Sequence, residues 1–308
     1  MGGPSTWDMF IVAGASGNVG SATVRKLAEC GAAVKALTRS STSDKVAPLK
    51  DLANVEVVEC DLMDKSALAS VFTGVKGAIL TYGNCKEQVE AEKSFIDCAV
   101  AAGCPFLVKL GTVRSYTAED SPCEYGRFHA VIEKHLVESA GAMKWVVLSP
   151  NWFMSNHMGD VFGTLPNNMV VYPVGADAKA SMVDPRDVGD LAAKLVLAPD
   201  ASPYHGLKLD ISGPEAVTLS EMAQLYSEVV GRSIATIKCS DDDWVAGAVA
   251  AGFQEWLARA ISLNFAKWEQ GELCFPTAPE VLALAPPQRT VAEWIKEWAP
   301  RSPPPVQA

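Results

Sequence analysis

A doubly wound α/β fold, with a parallel sheet covered by helices on both faces, is what this sequence predicts. Three observations carry that prediction. Short apolar blocks alternate with amphipathic stretches up to Pro150. The first apolar block runs directly into glycines at 14, 17 and 20, with a helical pattern behind them. After Pro150 the rhythm changes to helical segments punctuated by Pro166, Pro173, Pro185, Pro199, Pro203 and Pro214.

The blocks at 9–13, 33–38, 55–60, 77–81, 105–110 and 144–148 are expected strands. Between them, 17–30, 64–72, 86–102 and 126–140 are expected helices. Apolar blocks of this kind suit strands buried on both faces. Right-handed crossovers then wind the sheet in both directions. Further helices are expected at 185–197, 218–230, 241–251, 253–268 and 290–298, and Thr218-Leu-Ser-Glu221 has the spacing of a capping box.

In Ile11-Val-Ala-Gly-Ala-Ser-Gly-Asn-Val-Gly20 each glycine has a mechanical role. Gly14 turns the strand sharply, Gly17 lets the backbone approach a pyrophosphate, and Gly20 lets the helix pack closely on the strand. Free N–H groups and the positive end of the helix dipole face the phosphates. Gly14, Ala15, Ser16, Gly17, Asn18, Val19 and Gly20 are therefore candidate cofactor contacts. The plainer alternative is a glycine-rich turn without a ligand; the strand before and the helix after favour a Rossmann-type dinucleotide site. The expected division is a nucleotide-binding domain at 1–150 and a smaller, mostly helical substrate lobe at 151–298, with interleaving left open. The proline-rich tail at 299–308 is expected to be disordered.

The end of the second strand reads Leu37-Thr-Arg-Ser-Ser-Thr42, with no carboxylate before Asp44. An acid there would bind a ribose 2′-hydroxyl, whereas Arg39 can pair with a 2′-phosphate and Ser40 can add a donor. The expected cofactor is NADP(H); the alternative is an ordinary solvated turn. Asp61 and Leu62 after the third strand could meet the adenine, or Asp61 or Asp64 could be a helix N-cap. Topology puts Tyr82 and Gly83 beside a bound dinucleotide.

Composition narrows the class. The 308 residues are 49% hydrophobic and 20% charged, as in globular proteins. With 26 basic and 36 acidic side chains, net −10, no general affinity for nucleic acid or anionic membranes is expected. No apolar run approaches the ~20 residues of a membrane span, and no leader pattern precedes the first strand. The eight cysteines form neither Cys-x-x-Cys pairs nor metal-like spacings, so reduced thiols and a cytoplasmic location are expected.

Together these residues resemble the atypical short-chain dehydrogenase/reductases, and among them the NmrA-like family, from about Met9 to about Trp298. Further carriers of the resemblance are Arg127-Phe-His-Ala-Val-Ile-Glu-Lys-His-Leu136, Pro150-Asn-Trp-Phe-Met-Ser-Asn156, Val183-Asp184-x-x-Asp187-Val188 and Ile211-Ser-Gly-Pro-Glu215. The pattern is most similar to the NADPH-dependent quinone reductase branch and its NADP-sensing relatives. The resemblance implies hydride transfer from NADPH to a small conjugated carbonyl or quinone-type acceptor. Its alternative implication is a non-catalytic redox sensor that signals to a partner protein.

Typical short-chain reductases carry Tyr-x-x-x-Lys on the helix after the fifth strand; this chain has Tyr125-Gly-Arg-Phe-His129. A lysine ammonium favours the phenolate of a tyrosine, and a mostly neutral histidine does so less. Residues four apart share a helix face, so Tyr125, His129 and Glu133 can line up toward the cofactor. Tyr125 or His129 would supply the proton and Thr112 would orient the acceptor oxygen. The alternatives are a helix-start tyrosine and a satisfied, inert histidine. Lys109 interrupts an apolar strand; it could reach the cofactor, but a stem snorkelling out of the strand end is the preferred reading. Trp152 and Phe153, with Met154, could wall a flat aromatic substrate pocket or form interlobe core. His135, His157 and His205 read as structural.

Overall fold

The computed structural model describes residues 8–305. Strands β1 (Met9–Ala13), β2 (Ala33–Thr38), β3 (Val55–Glu59), β4 (Val75–Leu80), β5 (Phe106–Leu110) and β6 (Lys144–Pro150) alternate with helices α1 (Asn18–Glu29), α2 (Ala47–Lys50), α3 (Lys65–Val71), α4 (Gln88–Ala101) and α5 (Glu124–Ser139). The second half adds β7 (Met169–Tyr172), β8 (Lys179–Ala180), α6 (Pro185–Val196), β9 (Lys208–Ile211), β10 (Val217–Thr218), α7 (Leu219–Val230) and β11 (Ala235–Lys238). Helices α8 (Asp241–Ala250), α9 (Glu255–Glu269), α10 (Pro279–Leu284) and α11 (Val291–Trp298) complete it.

Seven parallel strands form the main sheet in the order β3-β2-β1-β4-β5-β6-β9. Alternation along β1 sends Phe10 and Val12 into one core, shared with Leu27 of α1 and Leu191 of α6. Ile11 and Ala13 enter the other core, with Leu68 of α3, Phe95 of α4 and Leu136 of α5. Strand order reverses between β1 and β4, the switch point where such sheets open a crevice at their C-terminal edge.

The chain after Pro150 contributes to this sheet as well as to the second lobe. β9 extends the sheet beside β6. A Cβ on Gly189 of α6 would lie 2.6 Å from the Cβ of Ala22, so only glycine permits the close α1–α6 approach. The second lobe has its own core of Trp152, Tyr172, Tyr226, Phe265, Trp268 and Trp294. It is framed by the parallel β7–β11 pair and the antiparallel β8–β10 pair. The expected capping box is present, with Thr218 and Glu221 exchanging hydrogen bonds at the start of α7.

The chain continues past residue 298 beside the second lobe. Ala299–Arg301 form a 3₁₀ turn with Ala299 buried and Arg301 stacked 4.0 Å over the Trp298 ring. Residues 306–308 of the expected tail lie outside the described residues. No helix among the described residues is long and apolar enough to cross a membrane.

Candidate functional site

Two connected cavities lie along the C-terminal edge of the sheet. The first, about 510 Å³, starts at the β1–α1 turn. Gly14 adopts φ +68°, and a Cβ there would lie 2.4 Å from the Thr81 carbonyl oxygen. A Cβ on Gly20 would lie 2.2 Å from the Gly14 carbonyl oxygen, so strand and helix touch backbone to backbone. At Gly17, by contrast, an added Cβ would meet only the Gly14 oxygen, at 3.3 Å, and would otherwise enter the groove. α1 has no side-chain cap and no acidic residue in its first turn. Its leading N–H groups and dipole are thus open to an anion.

Gly14, Ser16, Gly17, Asn18, Val19 and Gly20 line the groove, as do Arg39, Leu62, Tyr82 and Gly83. Arg39 is exposed and makes no hydrogen bond or ion pair among the described residues. Three of the expected contacts lie elsewhere. Ala15 is buried in the sheet core, its N–H donating to the Leu37 carbonyl. Ser40 is exposed and lines neither cavity, its hydroxyl 3.1 Å from that of Thr42. Asp61 turns its carboxylate to the Met63 N–H, while Asp64 is the N-cap of α3. Sequence reasoning passed over Lys45, a second cation on the groove, and Thr81, whose hydroxyl ties β4 to the Ala13 carbonyl at 2.7 Å.

The second cavity, about 310 Å³, shares Tyr82, Gly83, Asn84, Leu110, Phe153 and Asn156 with the first. Thr112, Tyr125, His129, Trp152 and Phe153 all line it. The five candidate catalytic and substrate residues are therefore brought to one place. Trp244, Phe253, Ile261 and Asn264, from α8, α9 and the turn between them, close the far side. No local motif pointed to these four, because they arrive more than 100 residues after Tyr125. His129 is the one ionisable group besides tyrosines among the lining side chains.

Tyr125 is set by Gly126, where a Cβ would lie 2.3 Å from the Tyr116 carbonyl oxygen and hold the helix start off its supporting turn. The Tyr125 hydroxyl accepts from Asn264 Nδ2 at 2.8 Å, and its own proton lies toward the Cys123 sulfur, from which an acceptor oxygen would have to draw it. Burial, chiefly, holds this phenol well above the usual tyrosine range, so it stays protonated. Glu133, the third member of the helix face, is buried and ion-paired with Lys208 of β9, and lines neither cavity.

Lys109 overturns the snorkelling reading. Its side chain is fully buried, with Nζ 2.7 Å from the Leu110 carbonyl oxygen and 2.8 Å from His129 Nδ1. A 3.2 Å ion pair to Glu92 Oε2 of α4 supplies the countercharge. A lysine at this depth needs such a partner, and α4 delivers one across the sheet face. Burial pushes the Glu92 carboxyl up from the usual range, and the Lys109 ammonium pulls it back. Burial and then the Lys109 charge hold His129 well below the usual histidine range, so it is neutral at pH 7.

Trp152 lines the cavity and also belongs to the core of the second lobe. Its indole N–H donates to His157 Nε2 at 3.2 Å, and His157 Nδ1 lies 2.7 Å from Asp160 Oδ2. His135 and His205 have local partners, Asp97 and the Trp145 N–H.

The model of the NmrA-like family matches residues 8–294. The chain belongs to that family. A relative at 32% identity over 228 residues is the (4-alkanoyl-5-oxo-2,5-dihydrofuran-3-yl)methyl phosphate reductase of Streptomyces griseus, with 73% of this chain and 75% of that protein covered. Among solved structures, the NADPH-dependent quinone oxidoreductase of Escherichia coli complexed with NADPH superposes with a TM-score of 0.79 at 22% identity, covering 94% of this chain and 99% of that one. NmrA, a negative transcriptional regulator in complex with NADP, gives 0.74 at 16% identity, covering 96% and 97%. At these identities the two structures establish the shared fold.

Proposed function

We propose that this chain is an NADPH-dependent oxidoreductase that reduces a small, neutral conjugated carbonyl or quinone-type acceptor. One observation carries the reading: an aromatic cavity that holds Thr112, Tyr125 and His129 opens directly into the dinucleotide groove. The reductase relatives within the family support the same class of chemistry.

The groove residues fit the cofactor. Gly17 leaves room for a pyrophosphate against the uncapped α1 terminus, and the unpartnered Arg39, with Lys45, suits a 2′-phosphate. When bound, NADPH supplies the hydride; the protein supplies orientation and a proton. Trp152 and Phe153 hold a flat acceptor by stacking. The Thr112 hydroxyl, without a hydrogen bond to protein among the described residues, orients its oxygen. Tyr125 and His129 both reach the cavity as neutral donors, and an electron-poor acceptor needs modest proton-transfer help.

The test is cofactor oxidation by the purified protein with a panel of quinones, enones and aldehydes. Turnover with neutral quinones or enones is expected. Tight NADPH binding without turnover on the whole panel would instead favour the sensor reading, for which the regulator of the same fold is the precedent.

A further inference from the structure

The buried cluster of Lys109, Glu92 and Gln88 around His129 has a consequence for which ring nitrogen carries the proton. An ammonium has three N–H donors and no lone pair. Lys109 Nζ hydrogen-bonds the Leu110 carbonyl and His129 Nδ1, and its charge is held by the ion pair to Glu92 Oε2 at 3.2 Å. Nδ1 must then present its lone pair, and neutral His129 must carry its proton on Nε2. Gln88 competes, its Nε2 lying 3.3 Å from His129 Nε2 while it donates to Glu92 Oε1 at 2.8 Å. A neutral imidazole cannot accept at both nitrogens. The charged donor at 2.8 Å prevails over the neutral one at 3.3 Å.

We propose that Lys109 is the positioning residue of this site: it fixes the Nε2–H tautomer of His129 and replaces the proton when His129 gives it up. The second half rests on the hydride-transfer reading above; the first stands without it. The balance is simple. The acceptor carbon gains the hydride and its oxygen gains the Nε2 proton of His129. A Lys109 N–H proton passes to Nδ1, leaving a neutral amine beside the Glu92 carboxylate. After product leaves, water in the cavity returns a proton through His129 to Lys109. Strand β5 would thus provide, through histidine, the ammonium that the helix lacks at position 129.

The groups facing His129 are Lys109 from β5, Gln88 and Glu92 from α4, and Tyr125 and the Lys208-paired Glu133 on its own helix. The experiment is ¹⁵N NMR of the histidine side chains together with kinetics, on wild type, Lys109→Met and the double variant Glu92→Gln/Lys109→Met. The double variant removes the uncompensated charge that the single one leaves buried. The expected result is an Nε2–H tautomer in wild type and loss of that preference in both variants. kcat should fall about tenfold or more with little change in the NADPH KM, and its pH profile should alter. An Nδ1–H tautomer in the wild type would overturn the proposal. So would a folded double variant with the wild-type tautomer, kcat and pH profile. A wild type that turns over no acceptor defeats the oxidoreductase reading while the NMR still decides the tautomer.

Discussion

Trp152 Nε1 donates to His157 Nε2 across 3.2 Å, and this contact decides the state of a buried histidine. Indole is a donor only, so Nε2 must keep its lone pair and the proton must reside on Nδ1, facing Asp160 Oδ2 at 2.7 Å. Tyr172 closes the cluster, its hydroxyl 3.2 Å from the same carboxylate oxygen. The wall of the second cavity is thereby anchored to the second lobe's core.

Replacing His157 should therefore be costly. His157→Leu leaves Asp160 buried beside a hydrocarbon, and a loss of roughly 3 kcal/mol is expected. Urea unfolding measures it. A loss below about 1 kcal/mol would mean the cluster is not holding the lobe together.

The glycines should separate by function. Gly20→Ala forces a Cβ to 2.2 Å from the Gly14 carbonyl and should destabilise the fold by about 1–3 kcal/mol. Gly17→Ala meets one atom at 3.3 Å, so the protein should fold almost normally yet bind NADPH at least about tenfold more weakly. Thermal melts and fluorescence titrations check both. NADPH affinity unchanged in Gly17→Ala would remove the pyrophosphate from that turn.

Arg39→Asp should discriminate between cofactors. Loss of a charged hydrogen bond, about 1.5–3 kcal/mol, corresponds to weakening NADPH by roughly ten- to a hundredfold. NADH, lacking the 2′-phosphate, should change far less. Equal weakening in calorimetric titrations would contradict the role of the guanidinium.

His129 should leave a signature in the pH dependence of stability. Its folded-state affinity for a proton lies well below the ordinary value, from burial first and Lys109 second. The unfolded chain, protonating near 6.5, binds the proton more readily. The contribution is therefore fully present above about pH 6.5 and is lost as the pH falls below it, by up to about 1.4 kcal/mol per pH unit. Urea midpoints from pH 7 to 5 should fall more steeply for wild type than for His129→Gln. Parallel curves would contradict the buried, neutral assignment.

Much of this was legible because it is local. The glycine spacing marks the β1–α1 turn, and uninterrupted apolar blocks mark strands covered on both faces. Thr112, Tyr125, His129, Trp152 and Phe153 could be placed together because they follow strands that end at one edge of the sheet. What could not be read depends on distant partners. β9 joins the sheet after the long excursion that follows β6. Asn264 reaches Tyr125 from 139 residues away. Lys109 was misjudged because an isolated lysine in an apolar strand most simply escapes to solvent, and its partner Glu92 sits on another element. The signal was the need for a countercharge, which Gln88-x-x-x-Glu92 on α4 meets.

The most direct test of the account is single-turnover oxidation of NADPH by a neutral quinone, followed at the cofactor's absorbance with wild type and Gly17→Ala. Cofactor loss matched by hydroquinone formation in the wild type, and strongly reduced in the variant, is the predicted result. Stable, tightly bound NADPH in the presence of every acceptor would contradict it.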